Sequence, residues 1–177
     1  MCNLVGKAVN MSIEIERKYI VKMPDLEILK AQRDYSVSEI VQIYLSSKNG
    51  ITHRIRKRTF SECTVCTETK KVRIDKMSAI EDEHEISLTE FDNLSATVKE
   101  GTRQILKMRH TFVFGGFCFE IDVYPEWKST AIMEVELESE DESFEIPPFI
   151  HVVEEVTGKK EYSNFSMSQN FPTENTL

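Results

Sequence analysis

Hydrophobic and polar residues alternate with a period of two along most of the chain, and turn residues interrupt the alternation. This pattern is typical of β-strands that bury one face. It predicts eight strands, over residues 12–21, 38–46, 51–59, 63–72, 80–88, 104–114, 117–124 and 131–139. Asn49-Gly50 and Gly115-Gly116 fall between consecutive strands and predict tight hairpin turns. Eight strands in hairpin order favour a mainly β member of the α+β class, with an antiparallel sheet closed into an eight-stranded barrel.

Helical spacing of apolar residues occurs between the strands and predicts helices that flank the sheet. The predicted helices span residues 24–33, 89–101 and 148–156. Leu26, Ile28 and Leu29 should face inward from the first of them. Thr89 is the predicted N-cap of the second, which Gly101 should end.

Charged residues occupy one face of most strands, and they are sorted by sign. The acidic positions are Glu14, Glu16, Glu83, Glu85, Glu120, Asp122, Glu134, Glu136 and Glu138, and the basic ones are Lys18, Arg54, Arg56, Arg58, Lys70, Lys107 and Arg109. One interpretation is an ordinary sheet with a solvated face. However, such a face usually intersperses the two signs, because like charges on one strand repel each other.

Closing the sheet would point the charged face into the interior of the barrel. Buried charges are costly there unless they are paired or bind ions. Carboxylates without His or Cys favour hard cations such as Mg²⁺ or Mn²⁺, and clustered Arg and Lys favour phosphate oxygens. The pattern therefore predicts a tunnel that binds a metal-bound polyphosphate.

Length, composition and charge narrow the class of protein further. The chain has 177 residues, which suits one domain, and a net charge of −8, which argues against nucleic acid as a partner. No apolar run reaches the roughly 18 residues that a membrane span requires, and the four cysteines are too few for a disulfide framework. We therefore expect a cytoplasmic protein with no membrane partner. Residues 1–10 are expected to be a leader or an alternative start, 11–165 one domain and 166–177 a partly mobile tail, while the oligomeric state is left open.

Five motifs, in order, resemble the CYTH superfamily, the triphosphate tunnel metalloenzymes. The stretch EIERK, residues 14–18, resembles the ExExK motif of that family. The other four are VQIYLSSKNGITHRIRKR, LKMRHTFVFGGFCFEIDVY, MEVELESEDE and EEVTGKKEYSN. The resemblance covers nearly the whole chain from Met11 and implies an eight-stranded tunnel.

The resemblance also implies roles for individual residues. The implied metal ligands are Glu14, Glu16, Asp122, Glu134 and Glu136, and the implied phosphate-binding residues are Lys18, Arg54, Arg56, Lys70, Lys107 and Arg109. The catalytic set would be Glu14, Glu16, Lys18, Arg56 and Glu136. The chain departs from the family pattern at one place. Many relatives have a basic residue just before the second acidic pair, which is Glu83 and Glu85 here, but this chain has Ile80-Glu81-Asp82. Either that contact is missing, or Arg73 or Lys76 replaces it.

The opening IERKYIV resembles that of small bacterial tripolyphosphatases. This implies Mg²⁺- or Mn²⁺-dependent hydrolysis of inorganic tripolyphosphate to diphosphate and orthophosphate, by in-line attack of water. Three alternatives stay open: a class IV-type adenylyl cyclase, a thiamine triphosphatase, and a non-catalytic module that binds polyphosphate.

Overall fold

Nine antiparallel strands and three short helices make up the computed structural model, which describes residues 10–48 and 50–174. The strands are β1 (Asn10–Lys22), β2 (Arg33–Leu45), β3 (Thr52–Thr59), β4 (Thr64–Arg73), β5 (Ser78–Ile86), β6 (Ile105–Phe114), β7 (Phe117–Val123), β8 (Thr130–Glu136) and β9 (Val152–Glu155). The helices are α1 (Leu26–Lys30), α2 (Leu88–Ser95) and α3 (Asn164–Gln169). The eight predicted strands are thus confirmed. Within the described ranges, no helix is long and apolar enough to cross a membrane.

The sheet closes into a barrel because β1 pairs with both β5 and β8. Strands follow the order β5-β4-β3-β2-β6-β7-β8-β1, and β1 pairs with β5 through residues 10–15. The other edge of β1 pairs with β8 through residues 16–22. The result is the closed eight-stranded antiparallel barrel that the alternation predicted.

The hairpin turns follow the predicted positions. Gly115 and Gly116 join β6 to β7 with φ values of +58° and +90°, a conformation that suits glycine at both positions. Gly50 also has a positive φ, of +73°, between β2 and β3. Asn49, the other residue of that predicted turn, lies outside the described residues, as do most of the predicted leader and the last three residues of the predicted tail.

The predicted helix over 148–156 is wrong, because that segment forms β9. Tyr19 to Val21 of β1 extend past the end of β5, so their edge is left without a partner strand, and β9 pairs with it. Val152 and Val153 are β-branched, which suits an extended backbone. Residues 152–155 therefore form a strand because they pair with the free edge of β1.

The two other predicted helices exist but are shorter, and α2 ends at Ser95 rather than at the predicted Gly101. Two further details are wrong. Ser87, rather than Thr89, caps α2, and its side chain and that of Glu90 form a reciprocal capping box. In α1 only Leu29 is buried, whereas Leu26 and Ile28 are more than a third exposed. This helix is too short to bury a broad face.

Apolar side chains close part of one end of the barrel. Ile20, Tyr44, Tyr124 and Ile132 belong to one buried cluster there, and α3 packs against it. The rings of Tyr44 and Phe165 are 5.1 Å apart, and Tyr124 Oη donates a hydrogen bond to Asn164 Oδ1 at 2.8 Å. Beyond this apolar cluster, charged side chains line the interior of the barrel.

Candidate active site

A cavity of about 1410 Å³ runs through the interior of the barrel, which we call the bore. Of the residues that the sequence analysis proposed for a site, eight line it: Glu14, Glu16, Lys18, Arg54, Arg56, Arg109, Glu134 and Glu136. Lys107 and Asp122 share the same strand faces, and their side chains are completely buried. The charged face of the sheet therefore does point inward, as closure required.

Lys70 is the exception, and its prediction as an inward-facing cation is wrong. It is exposed on the outer face of β4, directly opposite His53 and Asp82. Lys71 lies in the bore instead. The alternation contained the signal: the apolar residues Cys66 and Val72 are in phase with Lys70, so Lys70 had to share their outward direction.

The most deeply buried charges form a closed network of ion pairs. Arg109 binds both carboxylate oxygens of Asp122, at 2.7 Å each, and Lys107 binds the same carboxylate. Arg109 also contacts Glu120, and its Nη2 donates to Glu134 at 2.8 Å. Burial lowers the pKa of Lys107 to about 8, with repulsion from Arg109 adding to the effect. Asp122 is thus committed to two cations.

Lys18 extends this network towards β1. Its Nζ lies 2.6 Å from Glu134 and 3.6 Å from Glu16. Burial opposes the charge on Lys18, but the two carboxylates outweigh it and raise the pKa of the ammonium group. The carboxylate of Glu134 in turn has its pKa held well below the usual range, since Lys18 and Arg109 outweigh its burial.

A second network joins β1, β3, β4 and β5, and it contains two residues that the sequence analysis missed. Arg54 lies 3.2 Å from Glu81, and Lys71 lies 2.8 Å from the same carboxylate. Lys71 also binds Glu14. Burial opposes ionisation of Glu81, but Arg54 and Lys71 lower its pKa to about 2. Glu81 is in phase with Glu83 and Glu85 and so shares their face of the strand. The period-two pattern could therefore have identified it.

Two cations that line the bore, Arg56 and Arg58, form no ion pair with a carboxylate among the described residues. The guanidinium of Arg56 hydrogen-bonds only to the side-chain oxygen of Gln42, at 3.3 Å from both Nε and Nη2. Among the described residues, no carboxylate lies within ion-pair distance of it. Burial, together with repulsion from Arg54 and Arg109, lowers the pKa of Arg56 to about 10. A partly buried cation without a counter-charge is a candidate binding site for an anion.

Neighbouring polar atoms point to the same anion site. Arg54 Nε and the hydroxyl group of Thr67 are buried without a hydrogen-bond partner. Thr67 lies directly opposite Arg56, and Arg54 is two residues before Arg56 on β3. Buried donors are normally satisfied, so an anion at Arg56 would supply an acceptor that the chain lacks.

The carboxylates of Glu16 and Glu136 are directly opposite each other in the β1–β8 pair. Like charges in such positions are destabilising unless a cation lies between them. Burial raises the pKa of Glu136, and the nearby carboxylates Glu120 and Glu16 raise it further. Within residues 10–48 and 50–174, no three potential ligands converge into a preformed metal centre. The chemistry of this oxygen pair nevertheless fits a hard divalent cation whose remaining ligands come from water or phosphate.

Two cations lie near the segment that lacks a basic residue before Glu83 and Glu85. Ala79, two residues before Glu81, lies directly opposite Arg73 of β4. Arg73 and Lys76 both line the cavity. A cation is therefore present at this end of the bore, although it comes from the adjacent strand.

A closed antiparallel barrel with a charged bore defines a tunnel protein, and the known structures agree. The crystal structure of the inorganic triphosphatase NE1496 is 30% identical to this chain, with a TM-score of 0.58, and covers 94% of this chain and 99% of that one. The chain therefore belongs to the CYTH superfamily. The PH1819 protein from Pyrococcus horikoshii OT3 shares the fold at 21% identity and a TM-score of 0.55, over 72% of this chain and 80% of that one. No protein-family model and no curated protein matches the chain.

Glu14 gives a pH-dependent prediction. Burial raises its pKa to about 7, and Lys71 opposes the rise without cancelling it. Between the ordinary carboxyl pKa and about pH 7, folded Glu14 keeps a proton that the unfolded chain has lost, so stability falls as pH rises through this window. Glu14→Gln does not titrate. In metal-free buffer, its free energy of unfolding should gain on that of the native sequence by on the order of 2–3 kcal/mol between about pH 4 and pH 8.

Urea unfolding at a series of pH values measures this difference. Glu100→Gln, on an exposed turn, is the matched control and should show no such gain. If Glu14→Gln and the native sequence keep a constant difference across the range, Glu14 is not a buried carboxyl with a raised pKa.

Proposed function

We propose that this protein hydrolyses a linear triphosphate, with inorganic tripolyphosphate as the preferred substrate. The observation that carries the proposal is Arg56, a partly buried guanidinium that lines the bore without a carboxylate partner among the described residues. The similarity to the inorganic triphosphatase NE1496 supports the substrate class. The anion must be compact and highly charged, because it has to satisfy several cations inside one barrel.

The cations of the bore fall into two groups, those with a carboxylate partner and those without one. Arg56 and the free Nε of Arg54 are available to phosphate oxygens without breaking an ion pair. Lys18, Lys71 and Arg109 are held in place by carboxylates, so their ammonium and guanidinium groups are oriented before the substrate arrives. Pre-oriented cations stabilise charge that spreads over a transferred phosphoryl group without reorganising at the moment of reaction.

Glu16 and Glu136, with Glu14 and Glu134 beside them, would hold a divalent metal, Mg²⁺ or Mn²⁺. When bound, such an ion neutralises phosphate charge and lowers the pKa of a coordinated water. Attack of the water oxygen on the terminal phosphorus breaks the bridging P–O bond. The products are then orthophosphate and diphosphate. Asp122 does not contact this pair in the structure and instead fixes Lys107 and Arg109.

A product assay tests the reaction type directly. With Mg²⁺ or Mn²⁺, tripolyphosphate should give orthophosphate and diphosphate in equal amounts, and Glu136→Gln should lower turnover at least a hundredfold by removing a metal ligand. The same assay with ATP and thiamine triphosphate measures selectivity. Cyclic AMP with pyrophosphate from ATP would replace the proposal with a cyclase. Faster release from thiamine triphosphate would replace the substrate, and no product from any of them would leave a binding module.

The adjacent lysines of β4 provide a matched pair of variants. Lys71→Gln should raise KM for tripolyphosphate about tenfold, since it removes a cation of the bore. Lys70→Gln should leave KM and kcat unchanged, because Lys70 is exposed on the outer face. Steady-state kinetics on both variants measures the contrast. An effect of Lys70→Gln as large as that of Lys71→Gln would contradict the assignment of strand faces.

A further inference from the structure

The arginines of β3 face the bore between two rows of neutral side chains. They are Arg54, Arg56 and Arg58, and all of them line the cavity. Each lies directly opposite a neutral residue on both neighbouring strands: Tyr44, Gln42 and Ile40 on β2, and Thr69, Thr67 and Val65 on β4. The strand register therefore gives these arginines no carboxylate as a cross-strand partner.

Two other inward cations lie directly opposite a carboxylate. Lys18 on β1 is opposite Glu134 on β8, and Arg109 on β6 is opposite Asp122 on β7. Both are ion pairs, with 2.6 Å between Lys18 Nζ and Glu134 and 2.7 Å between Arg109 Nε and Asp122. Gln42 occupies the equivalent position opposite Arg56, and its side chain has the shape of a glutamate without the charge. The chain therefore has a neutral amide where these two strand pairs have a carboxylate.

The amide of Gln42, which is completely buried, is held in one orientation. Its Nε2 donates a hydrogen bond to Tyr44 Oη at 2.6 Å, so that its Oε1 is turned towards Arg56 and accepts from Nε and Nη2. Burial raises the pKa of Tyr44 to about 12, so the hydroxyl stays protonated and neutral at physiological pH. Among the described residues, none hydrogen-bonds to Arg56 Nη1. The guanidinium is therefore oriented along one side and keeps donors that the chain does not use.

We propose that Gln42 is a positioning residue, which orients the guanidinium of Arg56 without neutralising its charge. A neutral acceptor fixes the direction of the group, and the positive charge remains for an anion in the bore. Hydrogen bonds from arginine to a carboxylate are roughly twice as strong as those to a neutral acceptor, so Gln42→Glu would introduce a competitor for that anion. This inference rests on the proposed function for the identity of the anion, a triphosphate.

Gln42→Glu separates this role from a purely structural one. The carboxylate has the shape of the amide, would pair with Arg56, and would accept a hydrogen bond from the Tyr44 hydroxyl. The folded chain gains an ion pair for a cation that has none, so the midpoint of urea unfolding should move to a higher urea concentration. The affinity for tripolyphosphate, measured by calorimetry in EDTA so that no turnover occurs, should fall about tenfold or more. A residue that only supports the fold would not move stability and affinity in opposite directions.

Two further variants isolate the orientation and the charge. Gln42→Leu removes the acceptor and adds no charge, so it should weaken binding of tripolyphosphate by less than Gln42→Glu does, and it should lower the unfolding midpoint. Gln104→Glu is the matched control for net charge, because Gln104 is exposed just before β6 and is not among the residues that line the cavity. It should keep the native affinity.

Four results would overturn the proposal: native affinity in Gln42→Glu, a lower unfolding midpoint together with the lower affinity, an equal loss of affinity in Gln104→Glu, or no binding of tripolyphosphate by the native sequence. A failure of the proposed function gives a different pattern. In that case the native sequence binds tripolyphosphate but releases no orthophosphate with Mg²⁺ or Mn²⁺, while Gln42→Glu still loses affinity as its stability rises. The role of Gln42 would then stand without the hydrolysis.

Discussion

The pairing of β1 with β5 is the constraint on which the rest of the structure depends. It closes the sheet, so that one face of each of the eight barrel strands is removed from bulk water. That face carries charged side chains, and a buried charge is costly unless a partner compensates it. Because the sheet closes, the charged side chains of the inward face need oppositely charged partners in the bore.

Most of the buried charges meet this requirement within the chain. Asp122 binds Lys107 and Arg109, Glu134 binds Lys18 and Arg109, and Glu81 binds Arg54 and Lys71. Among the described residues that line the bore, Arg56 and Arg58 have no carboxylate partner, and Glu16 lies opposite the more exposed Glu136 with only a 3.6 Å contact to Lys18. These cations and carboxylates have opposite charges, so an anion and a metal cation together would provide partners for both. A metal-bound triphosphate has this combination of charges.

The strands, their order in hairpins and the inward direction of the charged face were predictable from the sequence, because the period of two determines which residues share a face. The same period distinguishes Lys71 from Lys70, because Lys70 is in phase with Cys66 and Val72 and therefore shares their outward direction. The N-cap of α2, Ser87, lies two residues before the predicted Thr89, within the ordinary uncertainty of helix ends.

Other features depend on tertiary contacts that no local pattern contains. Segment 152–155 became a strand because β1 extends past β5 and presents an unpaired edge. The commitment of Asp122 to two cations follows from the register of β6 and β7, in which Arg109 lies directly opposite it. The close contact of Gly158 with Lys76 joins two segments more than 80 residues apart, so sequence spacing alone could not predict it.

A crystal structure with tripolyphosphate and Mn²⁺, in which anomalous scattering locates the metal, tests the proposed site most directly. We expect Mn²⁺ in contact with Glu16 and Glu136, and phosphate oxygens within hydrogen-bond distance of the Arg56 guanidinium. Mn²⁺ bound away from these two carboxylates, or a triphosphate bound outside the bore with Arg56 still contacting only Gln42, would contradict the proposed site.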